Sequence, residues 1–258
     1  MALQSSGAIS LADIQTEFGG SNPISLSEYY GVGDGSVPAS GTISISHFYG
    51  QSNKAPAGSQ TFTSSGTFTV PQGYTEVTIC MVGGGGGGGA DRGSQYGVYN
   101  AGGGYSGAVV SKTVAVTSGS TYSVTVGGGG GGNFNTSGNA GGYSQFASSA
   151  HRANGGGGGQ TNSTAYAGNG GGRTTCGGTS NDGVRASLND NYGTKYAYGG
   201  QTSGFGNGGN AKTGNETNVY GSNGGVGSGG GGASVRVHLT GSAKGGTGGR
   251  GEVRVSWS

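Results

Sequence analysis

The chain has 258 residues, 68 of them glycine, with 30% hydrophobic and 9% charged residues and a formal net charge of +2. So small an apolar share leaves only small conventional cores, and so small a net charge gives nucleic acid or an anionic membrane little to hold. The Gly-X-Y period of collagen is absent, and charged residues are too few for an ordinary solvated disordered segment.

The N-terminus shows neither a basic n-region nor an apolar h-region, so no cleaved signal is expected. No stretch approaches the roughly 18 apolar residues of a membrane span. Residues 1–51 carry Asp13, Glu17, Glu28 and Asp34 and no Lys or Arg, a charge of −4; the remainder holds all 12 basic residues against six acidic ones, +6. Two modules with different partners are expected.

Within the first module one pattern occurs three times: Ile9-Ser10-Leu11 leading to Ile14, Ile24-Ser25-Leu26 leading to Tyr29, and Ile43-Ser44-Ile45 leading to Phe48. Ser25 with Glu28 fits a capping box and Ser10 with Asp13 approximates one, with His47 at the same place in the third unit. Glycine closes each unit (Gly19, Gly31, Gly50). Three helices of two turns or fewer are predicted. Helices that short are marginal alone, so their apolar residues either fill a mini-core or dock on a partner; the second reading makes Phe18, Tyr29, Tyr30, Phe48 and Tyr49 docking candidates. Residues 52–58 are expected to be a linker.

Strands are predicted next. Residues 61–63 and 66–70 flank a Ser64-Ser65-Gly66 turn. Residues 75–82 alternate, with Val77, Ile79 and Met81 on one face and Glu76, Thr78 and Cys80 on the other. Residues 108–117 and 121–126 are expected to form a hairpin around Ser118-Gly119-Ser120. Residues 234–240 and 252–257 alternate again, with Val235, Val237, Leu239 and Val253, Val255, Trp257 facing one way. Period two with β-branched residues marks half-buried antiparallel strands. Cys80 and Cys176 are too few and too far apart for a disulfide framework or zinc site, and Cys80 is expected as a buried free thiol.

Between these strands lie unbroken glycine blocks, residues 83–89, 127–132, 155–159 and 229–232. They are either flexible tethers or rods in which backbone packs on backbone, a closeness that glycine alone permits. Rods are the reading adopted. A polyglycine II helix has three residues per turn, rises about 3.1 Å per residue and has no internal hydrogen bonds, so its amides must find partners in neighbouring rods.

Residues 91–101, 133–154, 160–169, 173–198 and 201–223 lie between the blocks and are rich in Tyr, Asn, Ser and Thr. Eight of the 14 tyrosines fall within them. Tyrosine offers contact area at low entropy cost, and Ser, Gly and Asn offer adaptable hydrogen bonding, as in antibody paratopes. The candidate contact residues are Tyr96, Tyr99, Phe134, Tyr143, Phe146, Arg152, Tyr166, Arg173, Arg185, Tyr192, Tyr196, Tyr198, Phe205 and Tyr220.

Catalysis is not expected. The three histidines, His47, His151 and His238, are scattered and have no acidic pair or nucleophile beside them. Matches to G-x-G-x-x-G are met by polyglycine without a βαβ unit. Asn189-Asp190-Asn191-Tyr192-Gly193 faintly resembles a calcium loop but has no distal Glu, so neither a metal nor a cofactor is expected.

SQTFTSSGTFTVPQGYTEVTICMVGGGGGGG, residues 59–89, resembles the opening of the glycine-rich domain of bacteriophage tail-fibre and receptor-binding proteins. ISLADIQTEFG and its repeats resemble N-terminal modules of phage virion proteins, and the glycine blocks resemble the tip adhesins of T-even-type phages, in which polyglycine II helices pack and carry recognition loops. The long N-terminal attachment region of those adhesins is not seen in this sequence, so their mode of attachment does not carry over. The resemblance implies a mainly β fold: a small antiparallel β-sandwich with packed polyglycine II helices over 59–258, preceded by a helical attachment module, 1–51. It implies a phage tail adhesin in the virion, whose head module meets other tail proteins and whose loops bind an outer-membrane protein or lipopolysaccharide. A non-adhesive collar, tail or capsid decoration is the alternative.

Overall fold

Three serines start three short helical turns at the N-terminus. The computed structural model describes residues 2–33, 36–92, 100–161, 187–189, 195–197, 199, 205–214, 218–235 and 242–258. Helix α1 (Leu11–Phe18) begins at Ser10, whose Oγ accepts from the Asp13 N–H while the Ser10 N–H donates to Asp13 Oδ2 at 2.8 Å. Single 3-10 turns, Leu26–Tyr29 and Ile45–Phe48, repeat the device: the Ser25 N–H donates to Glu28 Oε1 (3.2 Å) and the Ser44 N–H to His47 Nδ1 (3.1 Å). The isoleucine before each serine joins the same cluster as the residue four beyond it, a hydrophobic staple. Ile14, Tyr29 and Phe48 are thereby buried to 0–2% exposure.

Phe18 and Tyr29 each meet Phe48 edge to face and are tilted against one another, with centroids 6.1–6.4 Å apart. The Tyr29 hydroxyl donates to the Gly19 carbonyl (2.9 Å), and its pKa is raised first by burial and then by the Glu28 charge. The aromatics of the head therefore make a mini-core. Tyr29 and Phe48 are not available for docking, and Phe18 is half-buried against them. Tyr30 and Tyr49 turn outward and donate their hydroxyls to the Gly41 and Gly7 carbonyls.

Residues 52–58 are not a free tether. The Asn53 N–H donates to Glu17 Oε1 (3.0 Å), the Tyr74 hydroxyl to the Ala55 carbonyl (3.0 Å), and Trp257 Nε1 to the Pro56 carbonyl (2.9 Å). Half-buried Ala55 also packs against the core that follows. The head is thus attached to the base of the next module.

That module opens with β1 (Gly58–Phe62), β2 (Gly66–Thr69) and β3 (Glu76–Val82), followed by β4 (Ala90–Arg92) and β5 (Asn100–Ala101). Then come β6 (Val109–Ala115), β7 (Thr121–Thr125), β8 (Ser144–Phe146), β9 (Arg152–Ala153), β10 (Ser187–Asn189) and β11 (Lys195–Ala197). The last are β12 (Lys212–Gly214), β13 (Asn218–Tyr220), β14 (Ala233–Val235), β15 (Ser242–Lys244) and β16 (Glu252–Trp257). Two antiparallel sheets, β1-β16-β3-β6 and β2-β7-β8-β9, face each other as a sandwich. Val77, Ile79, Met81, Val253 and Val255 fill the core from the first sheet, and Phe68, Val124 and Phe146 from the second.

The turn at Ser64-Ser65 and the connection at Ser118-Gly119 do not close hairpins. β1 pairs with β16 and β2 with β7, while β6 pairs with β3 over seven residues. Each connection crosses from one sheet to the other, because Phe62 and Phe68 must enter one core from opposite layers. Cys80 is disulfide-bonded, not the free thiol expected; Cys176, the other cysteine, lies outside the described residues. Of the run 234–240 only Ser234 and Val235 are described; Val237 and Leu239 lie outside.

From β3 the chain runs straight into a rod, residues 83–89. The N–H groups of Gly84, Gly87 and Ala90 donate to Gly142, Asn139 and Thr136. Those of Gly85 and Gly88 donate to Gly249 and Gly246, and those of Gly83, Gly86 and Gly89 to Ala108, Tyr105 and Gly102, all at 2.8–3.1 Å. One neighbour is met at every third residue, so the rod has three residues per turn and is polyglycine II. Its carbonyls accept from three more segments: Gly84 and Gly87 from Gly156 and Gly159, Gly85 from Gly130, and Gly86 and Gly89 from Gly230 and Ala233. Partner numbers fall along the first three neighbours and rise along the others, so three rods run antiparallel to the central one and three parallel.

The six neighbours also bond to one another in a closed ring. Segment 102–108 donates to 154–160 and to 227–230; segment 138–142 donates to 156–159 and to 128–131; segment 245–251 donates to 228–231 and to 127–133. Segments 207–212 and 221–227 extend the lattice on one side. Spacing this tight leaves no room for a side chain pointing inward: a Cβ on Gly86 would lie 1.9 Å from the Gly157 carbonyl oxygen, and one on Gly85 2.0 Å from that of Ser228. A Cβ on outward-facing Gly128 would meet nothing within 4 Å.

Two expected outcomes follow from this geometry. Gly86→Ala forces rods apart and costs about 3 kcal/mol or more, whereas Gly128→Ala is neutral or stabilises by up to about 1 kcal/mol through the unfolded chain. Thermal unfolding of the two variants reads the difference. In the head, the hydrogen bonds from Ser10 lower the Asp13 pKa below its ordinary value, so this cap supports the fold at neutral pH and is lost as pH falls through the lowered value. Followed by NMR, the Ser10 amide resonance shifts with a midpoint below that of an unperturbed aspartate.

Candidate functional site

The rods give the domain a direction. Their basal ends join the sandwich through Ser144, a fully buried residue whose Oγ donates to the Val82 carbonyl (2.7 Å) and accepts from the Gly127 N–H (3.1 Å). At their other ends the glycine lattice gives way to short strands in one layer. There β4-β14-β12 and β13-β15 pair in parallel, and Ala90, Val219, Ala233 and Ala243 form a small buried plug. Residues 132–137 turn over at this level, since the Ala90 N–H donates to Thr136 and the Asn135 N–H to Ala243. β5 joins the face through its parallel pairing with β11, Tyr196 opposite Ala101. This apical face is the far end of the molecule from the head.

Of the sequence-derived candidates, Phe134 and Tyr220 stand on this face, 52% and 51% exposed. Their rings meet edge to face at 6.5 Å, and Lys244 Nζ lies 5.1 Å from the centre of the Phe134 ring. Tyr196 belongs to β11 by its backbone, and its side chain is outside the described residues. Tyr96, Tyr99, Tyr166, Arg173, Arg185, Tyr192 and Tyr198 also lie outside them.

Four other candidates belong to the base. Phe146 is fully buried, its centroid 6.0 Å from Phe68 and stacked 5.7 Å from Tyr122. It is core, not a contact residue. Tyr143 and Arg152 are exposed but sit beside β8 and β9, with the Arg152 guanidinium 3.7 Å above the Tyr143 ring. Phe205 lies under the Arg254 guanidinium (4.5 Å), and Arg254 pairs with the buried Glu252 at 2.7 Å. That stack ties the start of segment 205–210 to β16 and faces away from the apex.

Lys244 was not singled out from the sequence. Its signal is positional: it directly precedes Gly245 at the apical end of a rod, as Phe134 follows Gly132 by two residues. In the head, a groove of about 350 Å³ lies between Ala2, Leu3, Gln4, Ile9, Asp13, Thr16 and Glu17, apolar on one side and acidic on the other. Among the described residues, no three His, Cys, Asp or Glu side chains cluster as metal ligands would, and no helix is long and apolar enough to cross a membrane.

Residues 59–258 match the family model of the glycine-rich domain. The chain belongs to that family. The matched span begins inside β1 and ends with β16, so it contains the sandwich and every rod together. No curated protein matches the chain. Within this glycine-rich domain, the exposed pair and the buried ring separate experimentally. Phe146→Ala costs about 3–5 kcal/mol of stability, while Phe134→Ala stays within about 0.5 kcal/mol; chemical denaturation of each variant measures both.

Proposed function

We propose that the protein is a phage tail adhesin. Its head module docks to a neighbouring tail protein, and its apical face binds a receptor on the bacterial surface, an outer-membrane protein or lipopolysaccharide. One observation carries this reading: a hydrogen-bonded lattice holds an exposed aromatic pair and an ammonium group at the end farthest from the head. A stiff platform lets contact residues be pre-positioned, which lowers the ordering cost of binding. The head supports the tail contact through its acidic, Lys- and Arg-free sequence and the groove beside Asp13 and Glu17. Residues 91–101 and 160–198 add Tyr96, Tyr99, Tyr166, Tyr192, Tyr196 and Tyr198 to the proposed contact set, because the strands flanking them end at the apex.

The test is an exchange of residues 93–99 and 162–186 between related phages that grow on different hosts. Host range is expected to follow the exchanged segments, and purified protein is expected to block adsorption of the phage it came from. Unchanged host range, with no blocking, contradicts the adhesin reading and favours a structural virion component.

A further inference from the structure

The apical face carries three side chains in one row. Tyr220 stands opposite Lys244 in the parallel β13-β15 pair, and Lys244 stands opposite Phe134 in an antiparallel bridge. Backbone pairing therefore fixes the order Phe134, Lys244, Tyr220 across three neighbouring segments. Side chains behind the row hold those segments. Asn135 Oδ1 accepts from the Ala243 N–H (3.0 Å), Ser242 Oγ donates to Asn218 Oδ1 (2.9 Å), and Asn133 Nδ2 donates to the Ser137 carbonyl (2.9 Å) and to Asn139 Oδ1 (3.0 Å).

We infer that this row is a saccharide subsite that takes a pyranose carrying an acidic substituent, a carboxylate or a phosphate. The inference rests on the adhesin reading and narrows its receptor to a glycan. Three considerations select the occupant. The first is size. Aromatic side chains bury about 150–250 Å² each, so two half-exposed rings offer on the order of 200 Å², against about 800 Å² per partner in a standard protein interface. That area matches one sugar ring.

The second is shape. A pyranose has a C–H face and a hydroxyl-lined edge. Rings at 77° to each other present a face to the first and leave the second to the backbone of the three segments. The third is charge. Lys244 stands beside the Phe134 ring, and the one carboxylate among the described residues of this face, Asp91, is buried. An ammonium beside the Phe134 ring, on the segment between the two aromatics, favours an anionic group over a neutral one.

Three probes test the inference on the full chain: glucuronic acid-containing oligosaccharides, neutral oligosaccharides of equal length, and the core oligosaccharide released from lipopolysaccharide of the adsorbing host. Binding is followed by titration calorimetry and saturation-transfer NMR. The wild type is expected to bind the acidic probes more tightly than the neutral ones. The Phe134→Ala/Tyr220→Ala double variant should lose at least about tenfold in affinity with an unchanged unfolding temperature. Tyr220→Phe should keep wild-type affinity, because stacking does not use the hydroxyl. Lys244→Gln should abolish the acidic preference and keep neutral binding.

Wild-type affinity in the double variant overturns the subsite. Absence of any saccharide binding, while the protein still binds whole cells and protease treatment of those cells abolishes it, also overturns the subsite but leaves the adhesin reading standing with a protein receptor. Binding to neither saccharides nor cells overturns both.

Discussion

Each amide of residues 83–90 donates to a different rod in strict rotation, and the structure depends on that backbone-to-backbone hydrogen bond. A glycine run has no side chain to bury and loses more entropy on ordering than any other sequence. It orders here because each amide of residues 83–90, taken from water, is paired, and because close approach gives the bare backbone dispersion contacts on all sides. The same closeness makes the interior intolerant of a single methyl group. Composition and architecture are thus one fact: the lattice requires glycine, and only a lattice makes so much glycine foldable.

Such a lattice has no means of starting or ending itself. The β-sandwich supplies the start: β3 passes straight into the central rod, β16 leaves the rod 245–251, and Ser144 bonds to both systems at their junction. At the far end the alanine and valine plug lets short strands spread apart and hold side chains. Stiffness between the two ends converts a fold with few apolar residues into a platform for contact residues. The head reaches the sandwich through the docked segment 52–58 and adds its own mini-core, so the three layers run from attachment module to recognition face.

Much of this was legible from residue pattern. The Ile-Ser-x repeat placed Ile14, Tyr29 and Phe48 at matching positions, and all three are the buried centres of their turns. Alternation in residues 75–82 assigned Val77, Ile79 and Met81 to the core correctly, because a half-buried strand writes its faces into the sequence. Sheet membership was not legible: whether the segment after Ser64-Ser65 returns beside β1 or crosses the sandwich is decided by partners nearly 200 residues away. Cys80 was missed for a similar reason, since nothing near it announces a bonding partner.

Contact residues were misplaced by a different route. Tyr143 follows a rod that runs downward, and Arg152 and Phe205 precede rods that run upward, so all three belong to the base. Counting rods would have shown this, but the rods 102–108, 138–142, 207–212 and 245–251 are interrupted by Tyr105, Asn139, Ala140, Asn210, Thr247 and Arg250, and only unbroken blocks are conspicuous. One position in three can point outward and tolerates a side chain, which disguises a rod as a loop.

Hydrogen–deuterium exchange at residue resolution on the full chain tests the lattice most directly. The amides of residues 83–90 should be among the slowest in the molecule, comparable with those of β3 and β16, and slower than outward-facing amides such as Gly128. Exchange of residues 83–90 at the rate of an unstructured glycine peptide would show that the rods are tethers, and the platform would not exist.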